Sequence, residues 1–262
     1  MRALHTAATG MKAQELNVQV ISNNIANMRT TGYKRQRAEF QDLLYEHVRR
    51  VGTQTSDQGN QLPVGVELGA GVKTVGTPRL MTQGSLVQTG KDYDVAIRGE
   101  GFFQITLPDG RTAYSRDGSF ELDSQGRIVT AQGNVVNPGL TVPQNATSVT
   151  INAQGQVAAT IPGSTTPTVV GQMQLAMFVN KAGLQGIGDN LYLETPSSGA
   201  PQVGNPNQDA FGNLQQGNLE QANVEAVSEI SDLIAAQRAY EMNAKVITAT
   251  DQMLQSTSQM LR

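Results

Sequence analysis

Residues 218–262 contain neither glycine nor proline, and an apolar or small side chain returns every seventh position: Leu219, Ala226, Leu233, Tyr240, Ile247, Leu254 and Leu261. Acids come early (Glu220, Glu225, Glu229, Asp232), bases come later (Arg238, Lys245, Arg262), and Glu241 precedes Lys245 in the favourable i to i+4 order. This pattern predicts one long helix. At 1.5 Å per residue, about 42 residues run roughly 63 Å, whereas a compact domain built from ~190 intervening residues is only roughly 40 Å across. A helix of that length cannot hide its stripe on its own domain. It must pair with another helix, with other chains, or with both.

The N-terminus repeats the design. Residues 3–27 lack proline and carry Leu4, Met11, Val18 and Ile25 at seven-residue steps, with Ala7, Ile21 and Met28 three places after members of that row. Thr30-Thr31-Gly32 follows, so the helix should stop near Asn27, with the glycine supplying a left-handed residue. The residues expected to mediate self-association are therefore Leu4, Met11, Val18 and Ile25 on one helix and Leu233, Tyr240, Ile247 and Leu254 on the other.

The middle reads as antiparallel β structure, and the fold class is α+β. Phe102-Phe103-Gln104-Ile105-Thr106-Leu107, the turn Pro108-Asp109-Gly110 and Arg111-Thr112-Ala113-Tyr114-Ser115 form a predicted hairpin. The segment 119–129 is echoed 29 residues later by 148–158, each an alternating strand pair around Asp123-Ser124-Gln125-Gly126 or Asn152-Ala153-Gln154-Gly155. Two copies are too few for a solenoid, so a sandwich or barrel of short hairpins is expected. Aromatic residues are 5% of the chain and tryptophan is absent, so the core should be mostly small and aliphatic.

Between the first helix and this region, Phe40, Leu43, Leu44 and Val48 suggest a short helical turn, and the glycine-studded stretch 53–76 an extended arm. Residues 195–217 are rich in Pro, Ser, Gly, Asn and Gln and read as a linker. The organisation expected is a terminal helical domain from 1–30 and 220–262, a connecting segment 31–80 with the short helix and the arm, and a β-rich outer domain 81–219. At 262 residues, one or two domains are expected.

Reactive chemistry is sparse. With no cysteine, disulfides, thiolate metal sites and cysteine nucleophiles are excluded. The two histidines, His5 and His47, fall on different predicted elements and read as surface or interface residues. Asp92, Asp94, Asp109, Asp117 and Asp123 could supply the acid pair of a glycoside hydrolase, but Asp109 and Asp123 sit in turn sequences, where aspartate bonds its own backbone. Gly69-Ala70-Gly71 and Gly99-Glu100-Gly101 lack the lysine and third glycine of a phosphate loop and read as bends or bulges. The basic cluster Arg29, Lys34, Arg35, Arg37, Arg49 and Arg50 is interrupted by Glu39, Asp42 and Glu46 and reads as a solvated or subunit-facing surface. A net charge of −3 fits neither nucleic-acid binding nor attraction to anionic lipid. No cofactor or metal is expected, and no run of 18 apolar residues suggests membrane insertion.

The motifs then place the chain beside known proteins. Ile21-Ser22-Asn23-Asn24-Ile25-Ala26-Asn27 and Thr31-Gly32-Tyr33-Lys34-Arg35 resemble the N-terminal signature of the axial family of bacterial flagellar rod and hook proteins. Gln83-Gly84-Ser85-Leu86, Asp94-Val95-Ala96-Ile97-Arg98-Gly99-Glu100-Gly101-Phe102-Phe103 and Tyr114-Ser115-Arg116-Asp117-Gly118-Ser119-Phe120 resemble its internal block. Gln237-Arg238-Ala239-Tyr240-Glu241-Met242-Asn243-Ala244-Lys245 and Asp251-Gln252-Met253-Leu254 resemble its closing helix. Length, Phe40-Gln41-Asp42-Leu43-Leu44-Tyr45 and the arm that follows are most similar to the distal-rod branch. A proximal-rod or hook-like subunit is the alternative, and a secreted β-domain glycan hydrolase or glycan-binding module the remote one.

The resemblance implies a non-enzymatic subunit of a helical tube that surrounds an export channel and transmits torque from motor to hook. The terminal helices would form an inner coiled-coil layer and the β domain an outer one. It implies that the chain's partners are further copies of itself, proximal rod proteins, hook protein, the peptidoglycan-layer and outer-membrane ring proteins and the flagellar export apparatus. It also implies a place in the periplasm-spanning basal body. Met1-Arg2-Ala3-Leu4-His5-Thr6 carries no apolar leader, so export without a cleaved signal peptide is expected.

Overall fold

The computed structural model describes residues 2–50, 64–163 and 166–260. Two compact units emerge. One gathers Met1–Ile25, Gln36–Pro78 and Ala226–Arg262, the other Ala26–Arg35 and Arg79–Glu225. Among the described residues no helix is long and apolar enough to cross a membrane.

The first unit holds α1 (Arg2–Ala26), strands β1 (Glu39–Asp42), β2 (Tyr45–Arg49), β3 (Val66–Gly69) and β4 (Val72–Gly76), and α2 (Ala226–Met260). Helix α1 ends where the sequence places its end. Gly32 does adopt a left-handed conformation (φ 68°), but beyond the helix, in the second unit. The buried side chains are Ala7, Ala13, Val20, Ile21 and Asn24 on α1, and Glu229, Ala236 and Thr250 on α2. Asn24 Nδ2 donates to Glu229 Oε2 (3.1 Å). A Cβ on Gly10 would lie 3.0 Å from the Asn243 side chain. Residue 24 beside 229 and residue 10 beside 243 make the pair antiparallel.

The short helical turn expected around Phe40–Val48 is not formed; β1 and β2 occupy it, each paired antiparallel with β4 and β3 in turn. Its helical spacing loses to cross-strand pairing with Val66, Leu68, Val72 and Thr74, opposite Arg49, Glu46, Asp42 and Phe40. The described part of the arm, 64–76, therefore supplies the returning strands of a ribbon; residues 53–63 of the expected arm lie outside the described residues. The C-terminal helix also starts later than the pattern suggests, at Ala226, because 218–220 is a strand.

The second unit is built from β5 (Leu86–Gln88), β6 (Val95–Arg98), β7 (Phe102–Thr106), β8 (Thr112–Ser115), β9 (Phe120–Leu122), β10 (Ile128–Thr130), β11 (Val135–Val136), β12 (Ser148–Ile151), β13 (Gln156–Thr160) and β14 (Thr168–Gln172). It continues with β15 (Leu175–Met177), β16 (Gln185–Gly188), β17 (Leu191–Leu193), β18 (Gln202–Gly204), β19 (Asn213–Gln216) and β20 (Asn218–Glu220). The main sheet runs β16-β17-β8-β7-β11-β10-β9, with β15 also on β7 and β18 on β15; β12-β13-β14 form a smaller one. The hairpin read from the sequence is β7–β8, with Phe103 opposite Ser115. The linker expected at 195–217 is instead structured: β18 pairs with β15, β19 pairs with β6, and Leu214 and Phe211 pack on the core. Polar composition hid the burial of those two apolar residues.

Val95, Ile97, Ile128, Val149, Ile151, Val157 and Leu175 make the core aliphatic, as expected. The few aromatics are concentrated in knots: Tyr114 stands edge-on to Phe178 with centroids 4.7 Å apart, and Phe103 to Phe120 at 5.0 Å.

The echoed segments fold alike. In each, the first turn residue exchanges backbone bonds with the residue four later, Asp123 N to Arg127 O (3.0 Å) and Asn152 N to Gln156 O (3.1 Å). Its side chain accepts the returning N–H, Arg127 N on Asp123 Oδ1 and Gln156 N on Asn152 Oδ1, both at 2.8 Å. Gly126 (φ 79°) and Gly155 (φ 82°) turn the chain left-handed. Their carbonyls then accept Val142 N and Met173 N at 2.7 and 2.8 Å, stitching the next segment to each turn.

Gly126 and Gly110 share nearly the same φ (79° and 82°), but a Cβ on Gly126 would lie 2.3 Å from Val142 O, whereas Gly110 faces open space. Gly110→Ala should cost about 1–2 kcal/mol from backbone conformation alone, and Gly126→Ala clearly more. Urea midpoints followed by circular dichroism compare the two; equal losses would show that the stitching contact carries no weight.

Candidate functional site: two buried polar pins

Lys34 of the N-terminal motif and Gly84 and Arg116 of the internal motifs converge on one carboxylate. Strand β20 delivers Glu220 into the interior, 1% exposed. Its Oε1 accepts Lys34 Nζ (2.5 Å) and the backbone N–H of Gly84 (2.9 Å), and its Oε2 accepts Arg116 Nη1 (3.4 Å). Lys34 (0% exposed) also donates to Thr82 O at 2.8 Å, and Arg116 (2% exposed) lies over the Phe102 ring with its Cζ 5.3 Å from the centroid. At the rim, Glu100 approaches Arg116 Nη2 (3.8 Å) and pairs with Lys181.

The backbone around the cluster is fastened in the same way. Gly32 N donates to Glu220 O (2.8 Å) and Gln221 N to Ser85 O (2.9 Å). Asn223 Oδ1 accepts Arg35 N (2.8 Å) while its Nδ2 donates to Leu80 O (2.7 Å) and Thr82 Oγ1 (2.8 Å). Asn190 Nδ2 reaches Thr31 O at 2.9 Å. The segment leaving α1 and the segment leading to α2 are thereby tied to each other and to residues 80–85.

Burial pushes Lys34 below the ordinary lysine range, outweighing the upward pull of Glu220; burial likewise lowers Arg116 against the pull of Glu220 and Glu100. Both oxygens of the Glu220 carboxylate accept from donors, so the group holds separate segments of the chain together. The reading of Lys34 as part of a solvated basic surface is corrected here: a lysine flanked by Tyr33 and Arg35 is buried because a carboxylate 186 positions away meets it.

A smaller pin sits in the first unit. Asn24, buried on α1, donates through Nδ2 to Gln36 O and accepts Gln36 N on Oδ1, both at 2.9 Å. The same Nδ2 reaches Glu229 on α2. One amide side chain thus fixes the departure of the chain from α1 and touches the partner helix.

The eight residues singled out for self-association fall beside this helix seam. Leu4, Met11, Val18, Ile25, Leu233 and Ile247 are half-buried, and Tyr240 and Leu254 are 43% and 46% exposed. The buried positions neighbour these rows: Ala7, Ala13, Val20, Ile21 and Asn24 on α1, and Glu229, Ala236 and Thr250 on α2. Val18 and Tyr240, with Glu15, Gln19, Gln237 and Glu241, line an open groove of about 400 Å³ along the pair.

The other candidates are occupied locally. Asp109 takes Arg111 N (3.0 Å) and Nε (2.6 Å), Asp117 takes Ser119 N (3.0 Å) and Oγ (2.7 Å), and Asp123 takes Gln125 N and Arg127 N. The Arg111 side chain holds Asp109 below the usual carboxylate range. Burial alone would raise Asp123, but its bonds from Arg127 and Gln125 lower it. His47 Nδ1 lies 3.1 Å from Glu67 on the exposed ribbon. Among the described residues no three His, Asp or Glu side chains are gathered as metal ligands. Gly69–Gly71 joins β3 to β4 and Gly99–Gly101 joins β6 to β7 (φ 111° and 136° at Gly99 and Gly101), both plain bends.

Glu220→Gln would leave two buried cations facing a neutral amide, a loss of about 3–5 kcal/mol. Lys34→Met leaves Glu220 with Arg116 and the Gly84 N–H, so its cost should be smaller, roughly 1–3 kcal/mol. Urea unfolding of both variants tests the order; a larger loss for Lys34→Met would displace Glu220 from the centre of the cluster.

Three family models match along the chain. Residues 4–34 match the flagella basal body rod protein family, 96–159 the flagellar hook protein FlgE/F/G D1 domain, and 215–260 the flagellar basal body rod FlgEFG protein C-terminal family. The two outer matches contain Asn24, Lys34 and Glu220, and the middle one contains Arg116. The flagellar basal-body rod protein FlgG of Caulobacter vibrioides is 55% identical over 260 residues, covering 99% of each chain. Its namesake in Agrobacterium fabrum is 50% identical over 262 residues, covering 100% of each, and that of Bacillus subtilis is 34% identical, covering 97% of each. With its length matched end to end and its pins lying inside the matched segments, the chain belongs to the FlgG family of flagellar basal-body rod proteins.

Proposed function

We propose that the chain is a structural subunit of the flagellar distal rod, polymerising through its terminal helices into a helical tube that surrounds an export channel and transmits torque from motor to hook. The full-length identity to rod proteins named FlgG carries this reading. It is supported by the helix seam, which leaves an outer row of Leu233, Tyr240, Ile247 and Leu254 only partly covered on a helix 35 residues, or about 52 Å, long. Leu4, Met11, Val18 and Ile25 supply the matching row on α1. In the polymer these rows would form the inner coiled-coil layer, with the β unit outside it.

The partners in this reading are further copies of the chain, proximal rod proteins at one end, hook protein at the other, and the peptidoglycan-layer and outer-membrane ring proteins around the β unit. The flagellar export apparatus would deliver the chain without a cleaved signal peptide. Its work is mechanical, and the engagement of Asp109, Asp117 and Asp123 in their own turns argues against the acid pair that a glycan hydrolase would need.

Replacing Leu233 and Ile247 by Asp would place two charges in a seam that assembly desolvates, at a cost of several kcal/mol. The β unit should unfold at an unchanged urea concentration while self-association, read by sedimentation and electron microscopy, is lost. Asp at Ser228 or Gln255, off that row, should be milder. Normal assembly of the double variant would overturn the assignment of these rows.

A further inference from the structure

Methionine is this chain's only sulfur residue: nine Met and no Cys. Three of the nine lie on one line of α2. Met242, Met253 and Met260 are 60%, 62% and 86% exposed, and with Val246 (46%) they follow steps of four, seven and seven, a single face of an α-helix. By contrast Met173 is 1% exposed in the core of the β unit.

None of the described residues of its own unit covers the end of this line. The antiparallel register that sets residue 24 against 229 and 10 against 243 brings the start of α1 level with about residue 250. Thr250 is the last buried residue of α2, and 251–260 are all exposed. Yet residues 246–260 carry one charge, Asp251. A helix meant for water carries many; depletion of charge together with methionine marks the centre of an interface. The same chain offers the uncovered groove lined by Val18 and Tyr240. An overhang of one copy laid on the groove of the next is a heterologous contact that repeats without closing, as a filament requires.

We propose that Met242, Met253 and Met260 are a reversible oxidation site that controls the docking of a second copy of this chain on α2. The proposal rests on the assembly reading above. The oxidant class is hypochlorous acid. A thioether sulfur gains its oxygen: the S–O bond forms, the O–Cl bond breaks, and chloride and a proton leave. Sulfur loses two electrons and chlorine gains them. A sulfoxide reductase with a dithiol reverses the step, releasing the oxygen as water and leaving a disulfide on the reductant. With no thiol in the chain to compete, oxidant reaches these exposed sulfurs first. Oxidation turns a flexible apolar side chain into a polar one that is costly to bury, so the unassembled subunit is open to the modification and the modified subunit docks poorly.

The test uses the full chain, treated with limiting hypochlorite and mapped by peptide mass spectrometry. Met253 and Met260 should gain oxygen before Met173, and the self-associated fraction in sedimentation should fall about tenfold or more. Methionine sulfoxide reductases with dithiothreitol should restore it. The M242L/M253L/M260L variant should assemble and resist the oxidant, while M173L should remain sensitive. Unimpaired association of oxidised protein, equal sensitivity of the triple variant, or oxidation of Met173 first would each overturn the proposal. If untreated protein and both variants stayed monomeric at every concentration, the assembly reading itself would fall, an outcome distinct from the other three.

Discussion

A carboxylate withdrawn from water has to be answered by donors on both oxygens, and Glu220 is answered by three separate stretches of chain. Lys34 comes from the segment after α1, Gly84 from the approach to β5, and Arg116 from the turn after β8. Removing Glu220 strands two buried cations, and removing either cation or the Gly84 N–H takes a donor from its carboxylate, so the arrangement is satisfied in full only when all have arrived. The aliphatic core could tolerate substitutions of similar volume; this cluster has no equivalent alternatives.

The helical unit is organised differently. Among its described residues few helix side chains are buried, Ala7, Ala13, Val20, Ile21 and Asn24 on α1 and Glu229, Ala236 and Thr250 on α2, and the amide of Asn24 gives the pair a directional contact. Small residues let two helices approach closely but bury little apolar area. A seam of this kind sets orientation and register, and leaves the larger hydrophobic contribution to whatever packs on the flanking rows.

Local patterns in the sequence read correctly and nonlocal ones did not. The α1 boundary, the β7–β8 hairpin and the paired Asp123 and Asn152 turns are each fixed by residues within a few positions of one another, so spacing alone reveals them. The ribbon of residues 39–76 was misread because Phe40, Leu43, Leu44 and Val48 carry a helical spacing that only their strand partners override. Residues 195–217 looked like a linker because Leu214 and Phe211 are isolated among polar neighbours. At the candidate site, Lys34 and Arg116 stood within motifs that were recognised, but their partnership with Glu220 was invisible; the available hint was an acid following Leu219 at the head of an otherwise striped run. The seven-residue spacing is legible in the sequence, whereas the burial of Ala7, Ala13, Val20, Ile21 and Ala236 beside those rows is not.

The distance in sequence between Lys34 and Glu220, 186 positions, has a consequence for time. Contacts of such separation form late, because the loop they close must first be confined. A chain threaded through a passage from its N-terminus would hold Lys34 and Arg116 without their counter-charge until nearly all of the β unit had emerged. Hairpins such as β7–β8 and β9–β10 can close as they appear, but the last lock waits for the end of delivery. A β unit delivered in that order would stay pliable until residue 220 had emerged, and would stiffen only once its own chain was complete.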